Sequence, residues 1–148
     1  MPTRRTDLLF HVATPGLARR GARDFAKRLE AEVANGRRFC CLITNDEELR
    51  RLNRQFRKKD YATDVLSFPA LEADGALGDI VISFERAKQQ AAEHRHAVGE
   101  EIEVLMLHGV LHLLGMDHET DRGQMARTER KWRARLRLPA GLIERRPA

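Results

Sequence analysis

The longest apolar run of the chain, Val104 to Met116, reads VLMLHGVLHLLGM, and it limits the fold more than any other stretch. A segment that is apolar on every side forms a helix buried all round, and this one falls well short of the ~20 residues that a membrane crossing takes. It therefore needs a coat of other protein elements. Two histidines, His108 and His112, interrupt the run where leucines are expected, and His118 follows just after it.

His108 and His112 are four residues apart, so on a helix they share one face and can hold one ion together. Gly115 comes three residues later, where a left-handed residue ends a helix, and the chain can then fold back to bring His118 to the same ion. Three imidazoles with a fourth position left to water form the ligand set of a catalytic zinc, which lowers the pKa of its water toward neutrality. A hydrogen-bonded core residue is the simpler account of any one histidine. The spacing decides against it: with 6 histidines in 148 residues, chance supplies this pattern in roughly 0.01 of such chains. A closed structural site normally uses four ligands and favours cysteine, whereas Cys40 and Cys41 lie far off in sequence with diverging side chains.

The frame HxxxHxxGxxH is that of the metzincin proteases with one change, Gly109 in place of their glutamate. Without that carboxylate no obvious base takes the proton of the metal water and passes it to a leaving amine, so peptide hydrolysis by that route is disfavoured. A phosphodiester relaxes the requirement. A metal and a cationic side chain can stabilise oxyanion charge, and RNA carries its own 2′-hydroxyl nucleophile.

The charge distribution points the same way. The formal net charge is +5, with 22 arginines against 5 lysines, and the planar guanidinium fork suits phosphate. Two blocks hold most of it: RRLNRQFRKK (50–59) has six basic and no acidic residues, and Arg122 to Ala148 has nine basic residues against Glu129 and Glu144. The second block also fits a solvated helix face. The start, MPTRRTDLLFHVATPG, has too short an apolar core for a secretory signal, which predicts a cytoplasmic protein without membrane association. The adjacent Cys40 and Cys41 in RRFCCLIT point to opposite faces of a strand, as reduced packed thiols do.

Periodicity predicts a strand over 7–13, a helix over 16–35, a strand in RRFCCLIT (37–44), and a helix capped by Asn45 with Glu48 three residues on. DVLSFP (64–69) and GDIVIS (78–83) read as strands joined by ALEADGA with its Asp-Gly turn signal. Helices follow over 84–96, 99–114 and 119–138. The expected fold is α+β: one domain over 1–148, with a small mixed sheet of about four strands packed against several helices, the metal site lying on a helix and the following turn. His94 and His96 are expected on different helix faces, exposed to solvent and without a metal role.

The segments NRQFRKKDYATDVLSFP (53–69), LGDIVIS (77–83) and HGVLHLLGMDH (108–118), in that order, resemble the bacterial YbeY family of rRNA maturation endoribonucleases. The likeness runs from the second strand through the histidine motif. It implies a zinc-dependent, single-strand-specific endoribonuclease acting in 16S rRNA 3′-end maturation and in ribosome quality control. Its partners are then single-stranded RNA, small-subunit rRNA, the 30S subunit or its proteins, and an assembly GTPase. By position the family's metal ligands fall on His108, His112 and His118, and its functionally important arginine on Arg57, which with His108 makes the catalytic pair. Arg57 can offer its guanidinium to the scissile phosphate. Thr63 and Asp64 shape the strand entry, with Asp64 available to orient a ligand histidine; Asp79 and Asp117 have similar standing. Two positions depart from the family pattern: Ala62 stands where proline is frequent, and Met116 where tyrosine is common.

Two other functional readings compete. One is a ribosome-assembly RNA-binding factor whose metal only stabilises the fold; the other is a metzincin-like hydrolase of a non-RNA substrate. The missing glutamate and the basic blocks argue against the latter.

Overall fold

The computed structural model describes residues 6–58, 63–70 and 75–139. The strands are β1 (Asp7–Phe10), β2 (Phe39–Thr44), β3 (Val65–Pro69) and β4 (Gly78–Ser83). The helices are α1 (Arg19–Arg28), α2 (Asp46–Arg57), α3 (Phe84–Glu93), α4 (Val98–Leu113) and α5 (Gln124–Leu136). The α+β expectation holds: the strands form one mixed sheet in the order β1-β2-β4-β3. β1, β2 and β4 run parallel, and β3 returns antiparallel along β4 as an edge strand.

The strand sequences alternate between two differently covered faces, as a period of two demands. On one face Cys41, Ile43, Ile80 and Ile82 join the main core with α1 and α4; on the other Leu66, Val81 and Leu42 meet Leu49 and Leu52 of α2. α4 is the central helix. Ile102, Val104, Leu105, Met106, Leu107, Val110 and Leu111 are all buried, each such side chain contributing roughly 1.5–3 kcal/mol relative to exposure. The apolar run thus has its coat, and among the described residues no helix is long and apolar enough to cross a membrane.

Two glycines fix how the elements meet. Gly78 has φ +143° and pairs with Pro69, and a Cβ there would lie 2.2 Å from the Phe68 carbonyl oxygen, so only glycine lets β4 start in this register. At Gly109 a Cβ would come within 2.9 Å of Ile80 Cγ2, so the missing side chain lets α4 lie directly against β4. Ser67 of β3 fastens the same point, its hydroxyl donating to the Gly109 carbonyl at 3.2 Å.

The expected cap of α2 is present, Asn45 Oδ1 accepting the Glu48 N–H at 2.9 Å. α3 begins at Ser83, whose hydroxyl accepts the Arg86 N–H at 3.2 Å and donates to Asp46 Oδ1 at 2.6 Å. The first turns of α2 and α3 are thereby tied together. At α4 the Glu100 carboxylate accepts the Ala97 N–H at 3.0 Å.

Several boundaries are narrower than periodicity predicts. The first helix starts at Arg19 because Gly16 is left-handed, with φ +83°, and beyond Arg28 it widens into a π-wound turn over Leu29–Val33. The last helix begins at Gln124 instead of 119, because residues 117–121 form a turn in which the Asp117 carbonyl accepts the N–H groups of Thr120 and Asp121. Asp121 then starts α5 by accepting the N–H groups of Gly123 and Met125, both at 2.8 Å, and these bonds hold its carboxyl below the usual range. His96 corrects its expected exposure: its side chain is buried, with Nε2 2.6 Å from Oε1 of the fully buried Glu101. His94 is exposed as expected. Cys40 and Cys41 are free thiols; burial, aided by Asp79 and Asp7, pushes Cys40 up to about 11, and burial raises the fully enclosed Cys41 further still. Neither is a reactive thiolate at neutral pH.

Candidate metal centre and its cleft

His108 and His112 stand one turn apart on α4, and the end of that helix brings the third imidazole to them. Gly115 takes φ +96° and donates its N–H to the His112 carbonyl, while the Met116 N–H reaches back to the Leu111 carbonyl. These crossed bonds are a Schellman ending, which reverses the chain within a few residues. His118 then faces the helix it has just left. The ring centroids lie 4.7 Å apart for His108 and His112, 5.6 Å for His108 and His118, and 5.7 Å for His112 and His118. One nitrogen from each lies within 4.8 Å of the others.

The donor set fits a metal ion. Two imidazoles bound to one tetrahedral zinc at ~2.05 Å hold their nitrogens about 3.3 Å apart. The two Nε2 atoms of His108 and His112 are 3.1 Å apart. His108 is only 3% exposed, and its Nδ1 lies 2.8 Å from Glu129 Oε2 on α5. A carboxylate can only accept, so Nδ1 carries the proton and the Nε2 lone pair is turned toward the other two rings. Burial pushes the His112 imidazole down to about 4, and the neighbouring His108 and His118 add to the effect. The ring is neutral at physiological pH, the form that can ligate.

The three histidines open into a cleft of about 560 Å³. Also lining it are Thr63 and Asp64 just ahead of β3, Val65 and Ser67 of β3, and Arg57, the last residue of α2. Arg57 and the histidine cluster, more than fifty positions apart in sequence, thus line one cleft. Arg57 is exposed, free of the core. An exposed cation beside imidazoles that could hold a metal ion suits an anionic ligand in the cleft.

Gly109 rules on the metzincin comparison in steric terms. The position where those proteases carry glutamate faces Ile80 with no room for a Cβ, so the helix could not hold a carboxylate there without moving off the sheet.

The other acidic candidates fall out differently. Asp64 lines the cleft but accepts from Gln90 Nε2 at 3.2 Å and from the Thr63 hydroxyl at 3.4 Å, which ties the entry of β3 to α3. Asp117 lines it too, its carboxylate accepting the Glu119 N–H at 3.0 Å within the turn. Asp79 lies on β4 opposite Cys40, and burial raises its carboxyl above the usual range. The carboxylate that orients a histidine is Glu129, which sequence reasoning did not single out. A signal existed: Met125, Glu129, Trp132 and Leu136 follow one face of α5, and a lone acid on that apolar stripe is an acid directed inward. Met116 lines the cleft wall. Ala62 lies outside the described residues.

Comparison with known proteins bears on the family and the fold. The family described as Endoribonuclease YbeY matches residues 17–137. The chain is 59% identical over 140 residues to an Endoribonuclease YbeY of Solibacter usitatus, covering 95% of this chain and 94% of that protein. It is 56% identical over 104 residues to the Koribacter versatilis protein of the same name, covering 70% and 68%. Among solved structures, the solution structure of TM1509 from Thermotoga maritima superposes with a TM-score of 0.61 at 25% identity, covering 89% of this chain and 92% of that one. By its sequence and its fold, this chain belongs to the YbeY endoribonuclease family.

Proposed function

We propose that the chain is a single endoribonuclease domain that uses one zinc ion held by His108, His112 and His118 to cut single-stranded RNA. The observation that carries this reading is the placement of Arg57 in the same cleft as the three imidazoles. Family membership supplies the reaction class. The all-nitrogen, three-ligand set favours zinc over harder cations that prefer oxygen.

Each residue has a stated task. When bound, the zinc supplies Lewis acidity and a water of lowered pKa. His108 presents its Nε2 because Glu129 fixes the proton on Nδ1. Arg57 donates to the non-bridging oxygens of the scissile phosphate, holding it at the metal and stabilising the charge that develops there. No side chain at position 109 serves as base, which suits a substrate carrying its own 2′-hydroxyl better than a peptide.

The substrate we assign is small-subunit rRNA, with action in 16S rRNA 3′-end maturation and ribosome quality control. The implied partners are the 30S subunit or its proteins and an assembly GTPase, in the cytoplasm. The test is cleavage of end-labelled single-stranded RNA from the small-subunit rRNA 3′ region by zinc-loaded protein, beside His112→Ala and Arg57→Ala purified identically. Cleavage by the parent alone, with Arg57→Ala retaining full zinc, supports the assignment. Equal cleavage by all three would identify a contaminating nuclease and leave RNA binding as the function.

A further inference from the structure

Among the described residues three large apolar side chains are exposed, and Phe56 is the most exposed at 60%, against 43% for Leu9 and 38% for Leu114. It ends the apolar stripe of α2. Leu49 and Leu52 earlier in that stripe are covered by the sheet, but Phe56, one turn further on, overhangs the edge strand. Among the described residues its ring contact is edge-to-face with Phe68 of β3, the centroids 5.5 Å apart and the planes at 68°. That contact sets the tilt of the ring and leaves much of its surface in water.

The neighbourhood is cationic and next to the cleft. Arg54, Arg57 and Lys58 flank Phe56, and no acidic residue lies between Leu49 and Lys58. Arg57, the next residue along α2, lines the cleft; so do Ser67 and Pro69, which alternate with Phe68 along β3 and face the other side of the sheet, so the ring stands across the edge strand from the histidines. An exposed ring of fixed tilt among phosphate-binding cations is the arrangement by which proteins hold unpaired nucleotides, since every base offers a π-face and duplexed bases do not.

We propose that Phe56 is a base-stacking residue, its ring receiving a nucleobase beside the phosphate that Arg57 holds, so that only an unpaired strand seats fully in the cleft. This rests on the endoribonuclease reading above. It gives the cleft a substrate-selecting element separate from the metal: Arg57 reads the backbone and Phe56 requires a free base.

The experiment uses zinc-loaded protein and single-stranded RNA oligonucleotides in which each nucleotide around the cut is replaced in turn by an abasic unit. Two variants are compared with the parent: Phe56→Leu, which keeps apolar bulk against Phe68 but loses the flat face, and Phe56→Trp, which keeps the face. We expect Phe56→Leu to raise KM about tenfold, with kcat within about twofold, and Phe56→Trp to behave as the parent. One abasic position should raise the parent's KM by a similar factor and have no further effect in Phe56→Leu. Parental KM in Phe56→Leu, or losses that multiply at every abasic position, would overturn the proposal. So would an effect confined to a protein partner with none on naked RNA. If the parent itself cleaves no RNA, the endoribonuclease reading falls together with this one; an active parent beside an unaffected Phe56→Leu removes the stacking role alone.

Discussion

Glu129 Oε2 lies 2.8 Å from His108 Nδ1, with side chains only 1% and 3% exposed. The contact joins α5 to α4 and fixes which nitrogen of His108 faces the cleft. The carboxylate is a positioning group, outside the reach of substrate.

Glu129→Gln should therefore fold and still weaken zinc binding about 10- to 100-fold, because a neutral amide holds the ring less firmly in the required tautomer. Glu129→Ala leaves a buried imidazole N–H without its acceptor and adds a stability loss of about 1–3 kcal/mol. Competition against a coloured chelator measures the first effect, and urea unfolding of metal-free protein the second. Parental zinc affinity in Glu129→Gln would show that the contact is structural only.

Gly109→Ala sets two effects of opposite sign against each other. Removing a glycine from the interior of a helix stabilises by roughly 0.5–1 kcal/mol. The new Cβ, however, would sit 2.9–3.1 Å from three atoms of Ile80, and overpacking a buried contact costs about 1–3 kcal/mol. The clash should win, giving a net loss of about 1 kcal/mol. Adding Ile80→Val opens space at the δ-carbon and should recover part of that loss. A stabilised Gly109→Ala would mean that α4 shifts freely against β4, and Gly109→Glu could then be made to test a peptidase.

Much of this was legible in the sequence because it depended on local spacing. The His108–His112 pair, the Gly115 ending and the Asn45 cap each follow from residues within one or two turns of each other. The mixed sheet also followed from the order of strand and helix patterns, although the β1-β2-β4-β3 order did not, since pairing between distant strands leaves no mark within either one. Glu129 was missed for a related reason. A charged residue reads as surface until its partner is known, and the partner lies 21 residues away on another helix. His96 reads as exposed for the same reason, its partner Glu101 belonging to the next helix. Arg57 could not be told from a surface arginine by local pattern; the resemblance singled it out, and the fold carries it into the histidine cleft.

Ser83→Ala tests whether α2, which carries Arg57 at its far end, is anchored through α3. The Ser83 side chain is fully buried, accepts the Arg86 N–H and donates to Asp46 Oδ1. Losing a cap together with a charge-assisted bond should cost about 1–2 kcal/mol. Replacing serine by threonine, which keeps the hydroxyl, should cost less unless its extra methyl is too large for the site. Urea midpoints of the parent and the two variants separate these cases, and an alanine variant as stable as the parent would remove the anchor.

Acid sensitivity of the metal-free protein should report the burial of His112 and, after it, the neighbouring imidazoles. In the unfolded chain an imidazole takes its proton near pH 6.5, whereas burial and then His108 and His118 keep His112 neutral down to about 4. Between those values the unfolded state binds more protons, so stability falls as pH drops from 6.5 toward 4 and is unaffected by this group above 6.5. His112 is half-buried, and solvent screening limits its share to about 1 kcal/mol. Urea midpoints of chelator-treated parent and His112→Gln, measured across that window, should converge as the pH falls, because the variant has no proton to take up. Parallel curves would show that the folded protein leaves the imidazole's proton affinity as it is in water.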